Sequence, residues 1–128
     1  VSFSHDGQTI ASASSDKTVK LWRVSDGKLI TTLKGHTDPV YGVSFSRDGQ
    51  KIASASGDKT VKLWRRDGKL ISTLKKQSDA VFGVSFSPDG EIVASANEDH
   101  TVKLWQVSDR SLIQTLKGHS NAVSDVAF

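Results

Sequence analysis

The residues of this chain with chemistry to offer are a set of serines and aspartates returning at even intervals, and four histidines: His5, His36, His100 and His119. Ser54, His36 and Asp58 supply the side-chain types of a hydrolytic triad. A serine nucleophile needs an exposed Oγ on a strained turn with an oxyanion hole beside it, and no Gly-x-Ser-x-Gly occurs. Ser54 lies instead in the middle of an extended run, Ile52-Ala53-Ser54-Ala55-Ser56. No catalytic residue is therefore expected. The histidines lack a ligand spacing such as His-x-x-x-His, and His5 and His100 fall at turns. With no cysteine there is no disulfide, thiolate zinc site or cysteine nucleophile. The Asp-Gly pairs at 6–7, 48–49, 67–68 and 89–90 look like fragments of calcium loops. They lack the clustered acidic spacing, and tight-turn geometry accounts for them. Neither a metal nor a cofactor is expected.

The elements that must hold these residues repeat. Trp22, Trp64 and Trp105 are spaced by 42 and 41 residues, and Phe3, Phe45, Phe86 and Phe128 step by 42, 41 and 42. Residues 1–24 and 43–66 agree at 20 of 24 positions, the differences being His5/Arg47, Thr9/Lys51, Ser15/Gly57 and Val24/Arg66. Copies so alike are recently duplicated or engineered. One unit reads as four strands, Val40–Ser46, Lys51–Ser56, Thr60–Trp64 and Lys69–Leu74, joined by turns at Asp48-Gly49, Gly57-Asp58-Lys59 and Asp67-Gly68. No segment carries a helical period over 11 or more residues. The second strand has small residues on both faces, the composition of a strand clamped between two neighbouring sheets. The fold class expected is all-β, with three four-stranded antiparallel meanders stacked as blades. The approximate units are 1–39, 40–80 and 81–121, with 122–128 starting the next blade.

Composition bounds the rest. The net charge of +3 comes from dispersed basic residues, with short pairs at Arg65-Arg66 and Lys75-Lys76. A nucleic-acid groove would want a continuous basic stripe with stacking aromatics, so no nucleic-acid partner is expected. No apolar run approaches the roughly 20 residues that span a bilayer, so no membrane association is expected. The segment Val1–Asp6 shows no secretory signal, so a cytoplasmic location is expected.

The sequence resembles the WD-repeat β-propeller family over essentially its whole length. Gly35-His36, then Asp58, then Thr60-Val61-Lys62-Leu63-Trp64 reproduces the family's layout. Gly118-His119, Asp16, Asp99, Trp22 and Trp105 occupy equivalent places. Two departures stand out. Arg23, Arg65 or Gln106 follows each tryptophan where the family has aspartate, and Lys76-Gln77 replaces the middle Gly-His. The resemblance implies that Ser, His and Asp are not a triad but part of a structural tetrad with the tryptophan. In it Asp orients His, His bonds Ser, and Ser accepts from the indole N–H. The sets are His36, Ser54, Asp58 and Trp64; Ser12, Asp16 and Trp22 with a histidine from outside the unit; and Ser95, Asp99 and Trp105 with Gln77 in the histidine position. The last set is expected to be the weakest.

Three blades do not close a ring of the usual four to eight. The chain opens and ends at the same place in the repeat, so 122–128 could complete the opening blade of another copy and bring His119 beside Ser12, Asp16 and Trp22. Strand exchange of this kind would give six blades from a dimer or nine from a trimer, nine being preferred; a fragment of a longer propeller is the other reading. The resemblance places protein-binding positions at Pro39, Tyr41 and Gly57; at Ala80, Phe82 and Glu98; and at Ala122, Ser124 and Ser15. Tyr41 and Phe82 follow a buried-type valine, so alternation turns them outward, toward a partner or against a neighbouring blade. The expected function is a non-catalytic scaffold for protein or peptide interaction. The alternative is a purely structural self-assembling propeller fragment, natural or engineered, with no ligand.

Overall fold

The computed structural model describes residues 1–128 and contains strands, turns and loops only. No helix is long and apolar enough to cross a membrane. The first sheet runs β1 (Ser2–Phe3), β2 (Thr9–Ala13), β3 (Val19–Arg23) and β4 (Leu29–Leu33) in chain order. The second holds β5 (Val40–Phe45), β6 (Lys51–Ser56), β7 (Val61–Arg65) and β8 (Leu70–Thr73). The third holds β9 (Val81–Phe86), β10 (Ile92–Asn97), β11 (Val102–Gln106) and β12 (Leu112–Leu116). Every pairing is antiparallel between consecutive strands, because each connection is a tight turn.

Two apolar layers lie between the three sheets, and they are nearly copies of one another. The first is built from Ala11, Val19, Leu21 and Leu33 of one sheet against Val40, Val43, Phe45, Ile52 and Trp64 of the next. The second uses Ala53, Val61, Leu63 and Leu74 against Val81, Val84, Phe86, Val93 and Trp105. The small residues of β6 explain how a sheet can be covered on both sides. Ala53, Ser54, Ala55 and Ser56 are all fully buried, two facing each way.

The first strands of successive sheets approach most closely. A Cβ on Gly42 would stand 2.9 Å from the carbonyl oxygen of Phe82, so only glycine fits there. A backbone-to-serine bond repeats along this line: Phe45 N–H donates to Ser2 Oγ, Phe86 N–H to Ser44 Oγ and Phe128 N–H to Ser85 Oγ, each at 3.2 Å. The last of these places residues 122–128 against β9 in the position that β9 takes against β5. The segment makes no strand pairing.

Candidate functional site

The second sheet assembles its four tetrad residues into one buried chain of hydrogen bonds. Trp64 Nε1–H donates to Ser54 Oγ at 2.8 Å, and Ser54 Oγ lies 2.7 Å from His36 Nε2. His36 Nδ1 lies 2.7 Å from Asp58 Oδ2, and Thr60 Oγ1–H donates to Asp58 Oδ1 at 2.6 Å. Burial pushes the His36 imidazole below the ordinary histidine range, outweighing the pull of Asp58, so the ring is neutral. Burial pushes the Asp58 carboxyl up, but hydrogen bonds from Thr60 and His36 overcome it and hold the group ionised. An ionised carboxylate only accepts. The tautomer follows: Nδ1–H donates to Asp58, Nε2 accepts the Ser54 hydroxyl proton, and Ser54 accepts the indole proton. The geometry has the order of a catalytic triad, but Ser54 is 0% exposed and its oxygen is occupied on both sides. Such a serine has nothing to attack. What the chain of bonds does is tie the β4–β5 connection, which carries His36, to β6, β7 and the β6–β7 hairpin.

In the first sheet, Trp22 Nε1–H donates to Ser12 Oγ at 2.9 Å. Asp16 is exposed and accepts from Thr18 at 2.6 Å, with no histidine beside it. His119 is exposed at the far end of the chain, so within one chain this set is not brought together. In the third sheet, Trp105 Nε1–H donates to Ser95 Oγ at 3.1 Å, and Gln77 is buried in the histidine's place. Gln77 bonds neither Ser95 nor Asp99. Its Oε1 accepts from Lys103 Nζ at 3.4 Å, and its Nε2 has no partner. The Lys103 ammonium crosses to Asp99 at 2.6 Å, whereas its counterparts Lys20 and Lys62 bond the outer-strand threonines Thr32 and Thr73. Nothing in the sequence singles out Lys103, since lysine stands at that point in all three repeats. The aspartate-bound threonines, also unforeseen, were signalled by the recurring Asp-x-Thr at 16–18, 58–60 and 99–101.

The proposed binding positions sit at one rim, at the ends of the sheets that carry the β6–β7 and β10–β11 hairpins. Pro39, Tyr41 and Gly57 come together: Gly57 N–H donates to the Pro39 carbonyl, and Tyr41 lies over Gly57. Ala80 and Glu98 meet in the same way, with Phe82 alongside on β9. Ser15 lies on the first sheet's β2–β3 hairpin, while Ala122 and Ser124 follow the third sheet, so that set stays divided. Tyr41 and Phe82 pack edge to face across the two sheets, with ring centroids 5.3 Å apart and an interplanar angle of 62°. Tyr41 remains 52% exposed. A cavity of about 230 Å³ opens beside them, lined in part by Gly42, Val84, Ser124 and Asp125.

The family model described as "WD domain, G-beta repeat" matches residues 1–23, 27–65 and 68–106. The chain is 51% identical over 39 residues to a Notchless protein homolog of Arabidopsis thaliana, a stretch that is 30% of this chain and 8% of that protein. It is also 51% identical over 35 residues to the WD40 repeat-containing protein HOS15 of the same plant, 27% of this chain and 6% of that one. Among solved structures, those described as U3-55K and as the RRP9 WD40 repeats each superpose with a TM-score of 0.92 at 28% identity. Each superposition covers 98% of this chain and 40% of the other. With three model matches in register, the tryptophan-centred tetrad and the blade geometry in agreement, the chain belongs to the WD40 repeat family of β-propeller proteins.

Proposed function

We propose that the chain is a non-catalytic scaffold that presents the rim around Tyr41 and Phe82 to a protein or peptide partner. The observation that carries this reading is the edge-to-face pair itself, half-exposed beside a cavity and held by two blades at once. Tyrosine is among the residues most enriched at binding hot spots, and phenylalanine is enriched at interfaces. Pro39, Gly57, Ala80 and Glu98 frame the pair, and Ala122, Ser124 and Ser15 would frame the next position around the ring. A peptide library panned against the immobilised chain tests the reading. Sequences enriched by the parent should be lost with Tyr41→Ala/Phe82→Ala when both are panned well below the variant's melting temperature; equal enrichment on both would refute it.

A second, structural reading is favoured by the outward sheet faces. Leu33 and Leu74, each 1% exposed, lie in the two inter-sheet layers, while their counterpart Leu116 is 42% exposed. That face has the composition of half an interface already formed twice within the chain. Further blades of the same chain would cover it, or a second copy would, with His119 entering beside Ser12, Asp16 and Trp22. Copies alone would give six blades as a dimer or nine as a trimer, nine being preferred because near-identical blades set a soft curvature. Light scattering on this 13.8 kDa chain decides. A mass two or three times that value supports closure by copies, and a folded monomer overturns it.

A further inference from the structure

The repeats also depart from one another at the end of the sheets opposite the rim. Val24 of the first repeat and Val107 of the third correspond to Arg66 in the second. Val107 packs against the apolar layer between sheets. Arg66 instead reaches across to the first sheet, where its Nη2–H donates to Thr9 Oγ1 at 2.6 Å. Thr9 is buried, so the guanidinium is fixed at the seam between two blades. Arg66 is itself half-buried, and no carboxylate lies within 4.0 Å of it. Asp6 acts on the guanidinium through space without touching it, so several N–H donors stay open to another anion.

Two grooves share this side chain. One, of about 440 Å³, is lined by Gln8, Thr9, Arg23, Ser25 and Ile30 together with Arg66. The other, of about 410 Å³, is lined by Gln50, Lys51, Arg65, Arg66, Asp67 and Ile71. The second groove thus holds three cations against one carboxylate, and Asp67 is already bonded to Arg65 at 2.8 Å. Asp6 near Arg66 and Asp48 near Lys51 offset part of this excess, and what remains favours an anionic group such as a phosphomonoester, which carries about −1.5 to −2 near neutral pH. The third repeat has lost this character, placing Glu91, Ile92, Gln106 and Val107 where the second has Gln50, Lys51, Arg65 and Arg66.

We propose that the paired grooves around Arg66 form a docking site for a phosphorylated, extended peptide segment. Arg66 and Arg65 grip the phosphate, Lys51 adds charge, and Ile30 and Ile71 receive aliphatic neighbours of the phosphorylated residue. A peptide fits better than a nucleic acid, because no aromatic side chain lines either groove and bases would find no stacking platform. The site is separate from the Tyr41–Phe82 rim, so either reading can fail without the other.

Fluorescence anisotropy on the full chain tests this with a labelled peptide bearing one phosphoserine flanked by leucines. Its unphosphorylated form and a labelled uridine oligonucleotide serve as the other probes. The phosphopeptide should bind tightest, more weakly as salt rises, and about tenfold more weakly to Arg66→Val. Valine is the residue the other two repeats carry, so that variant keeps a side chain native to the position. Arg65→Gln, at an exposed position where the third repeat has Gln106, should weaken binding by a smaller factor. If Arg66→Val melts early, the affinity of Arg65→Gln decides the matter. Unchanged affinity in these variants, equal binding of the unphosphorylated peptide, or tighter binding of the oligonucleotide would each overturn the proposal.

Discussion

The second and third sheets share strand order and nearly the same register, and each buries its tryptophan, yet the polar groups around those tryptophans are satisfied differently. Around Trp64 the bonds run without a gap through Ser54 and His36 to Asp58 and Thr60. Around Trp105 they stop at Ser95. Gln77 turns to Lys103, leaving Gln77 Nε2 and the neighbouring Asn97 Oδ1 buried without partners. Ser56, at the position of Asn97, donates instead to the carbonyl of Pro39 at 2.9 Å. An unpartnered buried polar atom costs about 1–3 kcal/mol, so the third sheet should be locally the weaker. Sheets of one strand order thus hold a closed tetrad or an open one, according to whether Gly35-His36 or Lys76-Gln77 stands beside them.

The comparison breaks most visibly at His36. His36→Ala should lower stability by about 2–3 kcal/mol, because it strips a charge-assisted bond from buried Asp58, whereas Gln77→Ala should cost under about 1 kcal/mol. Urea unfolding of both variants checks this, and equal losses would sink the distinction. Each blade has one tryptophan, so exchange of the three indole protons reports blade by blade, and Trp64 should be the slowest. Acid adds a second handle. His36 is held below its ordinary value of 6.5 by burial, so the unfolded chain binds the proton more readily. Stability from the neutral ring is full above that value and is lost as pH falls below it. Asp58, whose folded value is depressed, loses its contribution in the same direction at lower pH. His36→Gln should flatten the part of the profile just below 6.5; an unaltered profile there would place the acid sensitivity elsewhere.

Much of this was legible in the residues. The tryptophan spacing and the Asp-Gly turns placed each strand of the central unit within a residue of where it lies, because tight turns leave little freedom in register. The small residues of Ile52–Ser56 signalled a strand covered on both sides. The behaviour of Lys103 was not legible. A lysine side chain has long reach, and which acceptor it takes depends on whether a neighbour already fills the space beside Asp99. Arg66 shows the same limit: the sequence marks it as a departure from the repeat, but only the packing of adjacent blades puts Thr9 within its reach. Tyr41 and Phe82 fall between the sequence's two alternatives, since they pack against each other across blades while Tyr41 stays largely exposed.

Closing the third tetrad should sharpen the comparison by a smaller amount. Gln77→His supplies a ring that can accept from Ser95 and donate to Asp99, for a gain of about 1–2 kcal/mol. The gain should be incomplete in the single variant. Gly35, preceding His36, has φ 156°, and a Cβ there would stand 3.1 Å from Trp64 Cη2. Lys76 occupies the corresponding position before Gln77 without a positive φ, so its backbone approaches the third sheet's tryptophan differently. Lys76→Gly together with Gln77→His should therefore melt higher than Gln77→His alone. A fall in melting temperature with both would show that the Lys103–Asp99 pair is the better solution for this blade.

The smallest effect concerns that pair. Lys103 and Asp99 are 14% and 22% exposed at their side chains, so their attraction is only partly screened. Lys103→Met should cost about 1 kcal/mol, the upper end for pairs open to solvent. Lys62→Met, which removes only a bond to Thr73 at the surface, should stay within about 0.5 kcal/mol. The two losses should converge once Lys76→Gly/Gln77→His is introduced, because a histidine beside Asp99 would release Lys103 toward Thr115, its cross-strand neighbour. A double-mutant cycle reads this directly as a coupling between positions 77 and 103. Zero coupling would mean that Lys103 reaches Asp99 whatever stands at 77, and the difference between the two blades would then have a cause other than the missing histidine.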